Sequence, residues 1–407
     1  MAEFTIERLG HHGDGIAEGP LYAPLTLPGE VVSGAVEGDR LADIRIVMPS
    51  ETRVRPPCRH FKSCGGCQLQ HASDDFVAEW KTEVVTRALA AQGLKADMRP
   101  ILTSPPQSRR RATLSARRTK KGAMAGFHAR ASDVIVEVAE CQLLHPDLLA
   151  ALPVAEALAR VGASRRGELS VTATLSEGGL DVAVEGGLEP DGPLLIGLAQ
   201  EAERHDLARL SWNGEVMATR RAPVQRFGIA EVTPPPGAFL QATESGEQTL
   251  LAAVRQAVGE AGRIVDLFAG CGTFSLPLAE TSEVHAVEGS AEMTKALDHG
   301  WRHVSGLRKV TVEARDLFRR PLMPDELQKF DAAVIDPPRA GAEAQIEQLC
   351  TSGVEKIAYV SCNPVTFARD ANRLDAAGYA LHWVQVVDQF RWSSHIELVA
   401  GFTLTSA

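Results

Sequence analysis

The sequence predicts an α/β protein: a doubly wound parallel sheet in the C-terminal part, preceded by a small N-terminal β-barrel and a central α+β domain. Three observations carry this reading. RIVDLFA, EVHAVEG, KVTVEA, FDAAVID and KIAYVSC are short apolar runs separated by helix-length segments, the mark of βα units and a parallel sheet. In the first fifty residues, LYAPLTL, PGEVVSGAV and LADIRIV are short alternating stretches broken by Gly and Pro, which suits a small all-β barrel. Finally, 407 residues exceed one ordinary domain and suggest two or three.

Taken in order, residues 1–50 form the barrel and ETRVRPPC a linker into a central domain, 51–238. There DDFVAEWKTEVVTRALAAQG has helical periodicity from Asp74 and Gly93 is placed to end it. VIVEVAE and ELSVTATL read as strands among Ala-rich helices, and TPPPGAF closes the domain. The doubly wound part, 239–407, ends in LHWVQVV and IELVAGFTL, an expected antiparallel hairpin.

Composition excludes several classes. Hydrophobic residues make up 44% and charged residues 23%, near the globular average. No apolar run approaches the roughly 20 residues that span a bilayer, so no membrane association is expected. MAEFTIERLGHHGDG carries no recognisable targeting pattern, and a cytoplasmic location follows by default. No obligate protein partner is evident. A net charge of -10 does not advertise a nucleic-acid binder. Net charge hides local asymmetry, however: RRRATLSARRTKK, from Arg109 to Lys121, holds seven basic residues and no acid, and TRRAPVQRFG from Thr219 adds three arginines. Either is a solvated basic face or a patch that contacts phosphates.

VDLFAGCGTFS begins as a buried strand and turns at Gly270 and Gly272, where a ligand can approach the backbone at a helix N-terminus. The third glycine of a dinucleotide fingerprint is replaced by Ser275, which counts against NAD and FAD. Glu288 falls at the end of the second strand, where a carboxylate accepts both ribose hydroxyls of an adenosine group. By the same logic Asp316 ends the third strand and faces the adenine, and Asp336 ends the fourth. Ligands of open α/β sheets sit outside the carboxyl ends of the strands, so these groups should meet in one crevice. Glycine turn, Glu, Asp and then an acid-Pro-Pro element resemble the doubly wound S-adenosylmethionine-dependent methyltransferases.

Cys362 ends the fifth strand on the same edge. Taken alone, VSCNP favours an inert core thiol. In a methyl-transfer crevice the thiol gains a purpose: carbon 5 of a pyrimidine is not nucleophilic until something adds at carbon 6. The carbon 5 proton must then leave, and Glu397, in SSHIELVA, sits between apolar neighbours in the expected last strand. The alternative for Glu397 is a salt-bridged edge-strand residue.

SCNPVTFARD, DPPRAG and HIELV together resemble the RNA uracil-C5 methyltransferases, which make 5-methyluridine in tRNA and 23S ribosomal RNA, and the likeness spans nearly the whole chain. It implies Cys362 as nucleophile and Glu397 as proton acceptor. It also implies that Gln241 in AFLQAT, Phe268, Thr273, Glu288, Asp316 and Asp336 contact S-adenosyl-L-methionine, and that the substrate is RNA, with 23S rRNA expected ahead of tRNA as the alternative. The N-terminal segment with its LPGE resembles the TRAM RNA-binding domain. Two positions depart from the family: Thr243 stands where Asn is frequent, and Arg391 and Trp392 where a Pro-His pair is frequent.

CRHFKSCGGCQLQHA sets Cys58, Cys64 and Cys67 in a C-x5-C-x2-C spacing, with Cys141 in VAECQLLHP as natural fourth ligand. On chemistry alone, four thiolates suit zinc or an iron-sulfur cluster. The CGGCQLQH string resembles the family's, which implies a four-iron four-sulfur cluster. Two other functions compete: an amino-group methyltransferase of the same fold using DPP, in which Cys362 is dispensable, and an RNA-binding iron-sulfur protein without catalysis.

Overall fold

The computed structural model describes residues 2–405. Five strands between Ala2 and Met48 close a barrel, which includes a first strand, Ala2–Leu9, absent from the expected set. Of LYAPLTL only Leu21–Ala23 is strand. A seven-stranded sheet follows in the central part, built on Arg111–Arg118, Glu168–Ser176 and Gly179–Glu185 and covered by the helices Ala151–Gly162 and Gly192–Arg204. VIVEVAE contributes only the two-residue strand Ile135–Val136.

The third sheet positions the site. Its order is Val310–Ala314, Glu283–Glu288, Arg263–Leu267, Ala332–Ile335, Lys356–Ser361, Leu398–Leu404, Tyr379–Asp388, Asp97–Thr103. All neighbours run parallel except Leu398–Leu404, which is antiparallel to both strands beside it. The chain winds outward from Arg263–Leu267 in one direction and then restarts beside it with Ala332–Ile335. That reversal leaves a crevice at the carboxyl ends of these two strands, immediately before Phe268 and Asp336. Every residue of these two strands beyond Arg263 is buried, and all of them but Asp266 are apolar.

Two pieces of the segment expected to be central are built into this sheet. The helix Asp74–Ala91, capped by Ser73 and ended before Gly93 at φ 76, lies against the helix Pro364–Ala376, and the strand Asp97–Thr103 extends the sheet beside Tyr379–Asp388. The hairpin Gln225–Phe227/Ala230–Val232 likewise buries Phe227, Ala230 and Val232 in the core beneath the sheet. The physical reason is burial: Val85 and Leu89 find their apolar neighbours in Phe367, Leu374 and Val384, far along the chain. No helix among the described residues is long and apolar enough to cross a membrane.

Candidate active site

The crevice is a cavity of about 620 Å³ whose lining includes Gln241, Phe268, Thr273, Glu288, Asp316, Asp336, Cys362 and Glu397. Residues spread over more than 150 positions of chain thus meet in one space. On one side, Phe268 adopts φ 63, a conformation costly for an aromatic residue and held here by the turn that follows. Gly272 follows at φ 96, where a Cβ would stand 2.8 Å from Leu297 Cγ. Ser275, in the place of a third glycine, donates its hydroxyl to the buried Asp266 at 2.5 Å. Glu288 receives the Gly270 N–H on Oε2 at 3.0 Å and the Ser290 N–H on Oε1 at 2.9 Å. Each oxygen keeps lone pairs toward the cavity, so the carboxylate is oriented yet still able to accept two hydroxyls. Asp316 also holds its own turn, accepting the Phe318 N–H at 3.0 Å, and Phe318 stands 5.4 Å from the Phe268 ring across the cavity rim.

The opposite wall is acidic and thiol-bearing. Cys362 directly follows Lys356–Ser361 and is half-buried, while Asn363 caps the next helix through the Val365 N–H. Burial, with the charges of Glu397 and Asp336, pushes the Cys362 thiol up to about 11, opposed by Arg339. Burial raises Asp336 to about 7, and Asp266 adds to it. Glu397, only 4% exposed, is lifted well above the carboxylate range by burial first and by Asp336 second.

Glu397 lies just before its strand, Leu398–Leu404, rather than within it; its carbonyl accepts the Val387 N–H. That strand is internal to the sheet, and Glu397 makes no ion pair among the described residues, so the edge-strand salt-bridge alternative fails. Its partner is Gln389, whose Nε2 donates to Glu397 Oε2 at 3.3 Å and to Gln241 Oε1 at 2.6 Å, while Gln389 Oε1 accepts the Ala242 N–H at 2.9 Å. Gln389 escaped the sequence reading. The only signal was its place in DQF, eight residues before Glu397.

Thr243 caps the helix Glu244–Val258 through the Gly246 N–H and meets the Ser104 hydroxyl at 2.7 Å, which accounts for a hydroxyl at this position. Arg391 pairs with Asp74, and the Trp392 Nε1–H donates to the same carboxylate at 3.0 Å. Trp392 is buried against Phe61 and Cys67, and its carbonyl accepts the Gln68 and Leu69 N–H groups at 2.9 Å. The loop that bears Gln389 and Glu397 is therefore braced directly by the cysteine segment.

Cys58, Cys64, Cys67 and Cys141 line a second cavity of about 330 Å³, which shares Arg109 and His395 with the first. Burial raises the Cys67 thiol to about 12 and Cys64 and Cys141 less. Among the described residues, no three His, Cys, Asp or Glu side chains are grouped so as to hold a metal ion. The expected iron-sulfur centre on Cys58, Cys64, Cys67 and Cys141 is therefore not supported by the arrangement of these side chains, although all four line one cavity.

The basic run also differs from expectation. Arg109 lines both cavities and Arg110 bonds Glu247; Arg109, Arg110 and Arg111 are only partly exposed, whereas Arg118, Lys120 and Lys121 at the far end are exposed. The three exposed arginines after Thr219 pair with exposed carboxylates: Arg220 and Arg221 with Asp206, Arg226 with Glu177 and Glu231.

A doubly wound sheet with a glycine turn and an acid after its second strand, opening on one cavity at the switch point, defines an S-adenosylmethionine-dependent methyltransferase. A family model described as tRNA (Uracil-5-)-methyltransferase matches residues 306–406. An uncharacterized RNA methyltransferase of Brucella suis biovar 1 is 44% identical over 404 residues, covering 98% of this chain and 97% of its own. The 23S rRNA (uracil(1939)-C(5))-methyltransferase RlmD of Halomonas elongata is 34% identical, covering 97% of this chain and 88% of its own. Over the whole fold the chain is similar to the crystal structure of Pyrococcus abyssi tRNA (uracil-54, C5)-methyltransferase in complex with S-adenosyl-L-homocysteine, with a TM-score of 0.77 at 23% identity, covering 98% and 99% of the two chains. The chain belongs to the RNA uracil-C5 methyltransferase family.

Proposed function

We propose that the protein methylates carbon 5 of a uridine in ribosomal RNA through a covalent adduct between Cys362 and carbon 6. The observation that carries this reading is the meeting of Cys362, Glu397 and Asp336 on one wall of the cavity whose other wall holds Phe268, Glu288 and Asp316. When bound, S-adenosylmethionine supplies a methyl group on a cationic sulfur. Glu288 accepts its ribose hydroxyls, Asp316 and Phe318 border its adenine, and Gln241 and Asp336 hold the end nearest the reaction. Cys362 adds to carbon 6, making carbon 5 nucleophilic; after methyl transfer, Glu397 takes the carbon 5 proton and the Cys362–carbon 6 bond breaks to restore the ring. The target base leaves its stack to reach this depth.

A ribosomal target is favoured over tRNA by the relative at 34% identity, whose name specifies 23S rRNA. The barrel fits a TRAM-like RNA-binding role, and 1–50, 51–238 and 239–407 stand as functional divisions, with the helix Asp74–Ala91 and strand Asp97–Thr103 serving the last. Four cysteines around a cavity of about 330 Å³ fit a four-iron four-sulfur cluster better than one ion. There Cys58, Cys64, Cys67 and Cys141 would hold it, and its service is structural, since Trp392 carries the firmness of this segment to the catalytic loop.

The test is incubation with donor and ribosomal RNA containing 5-fluorouridine, which cannot lose its carbon 5 substituent. A covalent protein–RNA adduct that disappears in Cys362→Ala is expected; no adduct with any cellular RNA overturns the reading.

A further inference from the structure

The strand Arg111–Arg118 starts two residues after Arg109, which lines the active-site cavity, with Arg111 itself lining the second cavity, and it extends to a turn at 119–122. At about 3.4 Å per residue its far end stands roughly 24 Å from Arg111. Arg118, Lys120 and Lys121 are exposed there. In the neighbouring strand Glu168 pairs with Arg117, and the exposed Arg165 and Arg166 lie in the bend just before it. A fourth element, the last turn of Ala151–Gly162, approaches the same corner: a Cβ on Gly122 would lie 3.9 Å from Arg160 Nε.

Glu168 is taken by Arg117 and His128, Asp133 approaches Arg117, and Glu156 pairs with Arg160. None of Arg118, Lys120, Lys121, Arg165 and Arg166 joins an ion pair among the described residues. By contrast Arg209, in the same sheet, and Arg220, Arg221 and Arg226, outside it, each have a carboxylate. In a chain of net charge -10, five uncompensated cations from two separate segments cost self-repulsion unless a polyanion covers them.

We propose that this corner is a second RNA-contacting surface, binding backbone phosphates of the substrate RNA remote from the target uridine. It rests on the RNA substrate of the family and goes further by stating the substrate's size: an RNA long or folded enough to touch both the cavity and a corner roughly 24 Å away. Phosphates are the fitting ligand because lysine and arginine contacts to them need no base identity and release counterions on binding.

The experiment compares R118E/K120E/K121E, R165E/R166E and the milder K120Q/K121Q with the wild type. Binding of an unmodified 23S ribosomal RNA transcript and of a uridine oligonucleotide too short to span the gap is measured across salt concentrations, with S-adenosylmethionine affinity as the check on folding. For the transcript, a charge reversal should weaken binding about 10- to 100-fold at physiological salt and reduce the slope of log affinity against log salt by roughly 0.7 to 0.9 for each phosphate no longer neutralised. Donor affinity and oligonucleotide binding should not move. Unchanged transcript affinity and slope overturn the proposal, including the case in which the corner serves an acidic protein; so does an equal loss on the oligonucleotide. If one reversal loses donor binding, the other and K120Q/K121Q decide. A wild type that binds through the corner yet makes no 5-methyluridine would refute the methylation reading and leave this one standing.

Discussion

Gln389 Nε2 lies 3.3 Å from Glu397 Oε2 and 2.6 Å from Gln241 Oε1, so one amide orients both side chains at once. Gln389→Ala removes the hydrogen bond that opposes the upward shift of Glu397 and leaves a buried carboxyl without a partner. We expect kcat to fall on the order of 10- to 100-fold and donor affinity to weaken with it, because the same amide serves both groups. Steady-state kinetics with separate donor titration checks this; a change in kcat alone would show that Gln241 holds its place unaided.

Glu397→Gln keeps shape and Gln389 contact but accepts no proton. Turnover should drop by about 10²- to 10⁴-fold. Because addition and methyl transfer precede proton removal, ordinary uridine RNA should accumulate as a covalent complex, visible on a denaturing gel and lost in the Cys362→Ala background.

The wild-type pH dependence follows from the directions of shift. Cys362 is pushed up to about 11 and Glu397 well above its usual range, and the proposed mechanism uses both deprotonated. The competent fraction of free enzyme therefore rises with pH through neutrality, and kcat/KM for RNA should climb from pH 6 to beyond 8. Asp336→Asn removes a negative charge that raises the thiol, so the Cys362 thiol moves down and its peptide should be alkylated faster at fixed pH, as followed by mass spectrometry. Slower alkylation would contradict the electrostatic account.

Lys81 and Asp388 form a buried ion pair at 2.6 Å, and Lys81 Nζ also donates to Phe390 O at 3.1 Å. Lys81→Met leaves Asp388 buried without its cation, and denaturant unfolding should show a loss of about 3–5 kcal/mol. Lys81→Met with Asp388→Asn should recover part of it, since the stranded charge is gone.

Trp392 couples the cysteine segment to the catalytic loop, so Cys67→Ala should act at a distance. If a cluster fills the second cavity, the variant loses visible absorbance, and Trp392 fluorescence shifts to the red as Phe61 and Cys67 cease to enclose it. The kinetic signature is lower kcat with donor affinity nearly kept, because Glu288 and Phe268 lie on the other wall.

Whatever depended on local periodicity was legible without coordinates. Short, nearly continuous apolar runs marked the parallel strands, since strands buried on both faces carry few polar positions, and GxG, DPP and SCNP marked strand ends because turns and helix caps are set by a few adjacent residues. Glu288, Asp336 and Cys362 were found this way. Their assembly into one cavity followed from a general rule about sheet edges rather than from any contact the sequence displays.

The fate of individual charges and of the helix Asp74–Ala91 was not legible. Arg220, Arg221 and Arg226 looked like free cations until partners in other segments neutralised them, and Arg109 to Lys121 looked like one patch until the fold enclosed one end and exposed the other. Gln389 meets Gln241 across 148 positions of chain, and Lys81 meets Asp388 across 307. Sequence thus determined which chemistry this protein carries, because those groups sit at the ends of locally encoded elements. Which residues hold and charge that chemistry was decided by tertiary contacts, whose free energy depends on burial and on partners that only folding brings together.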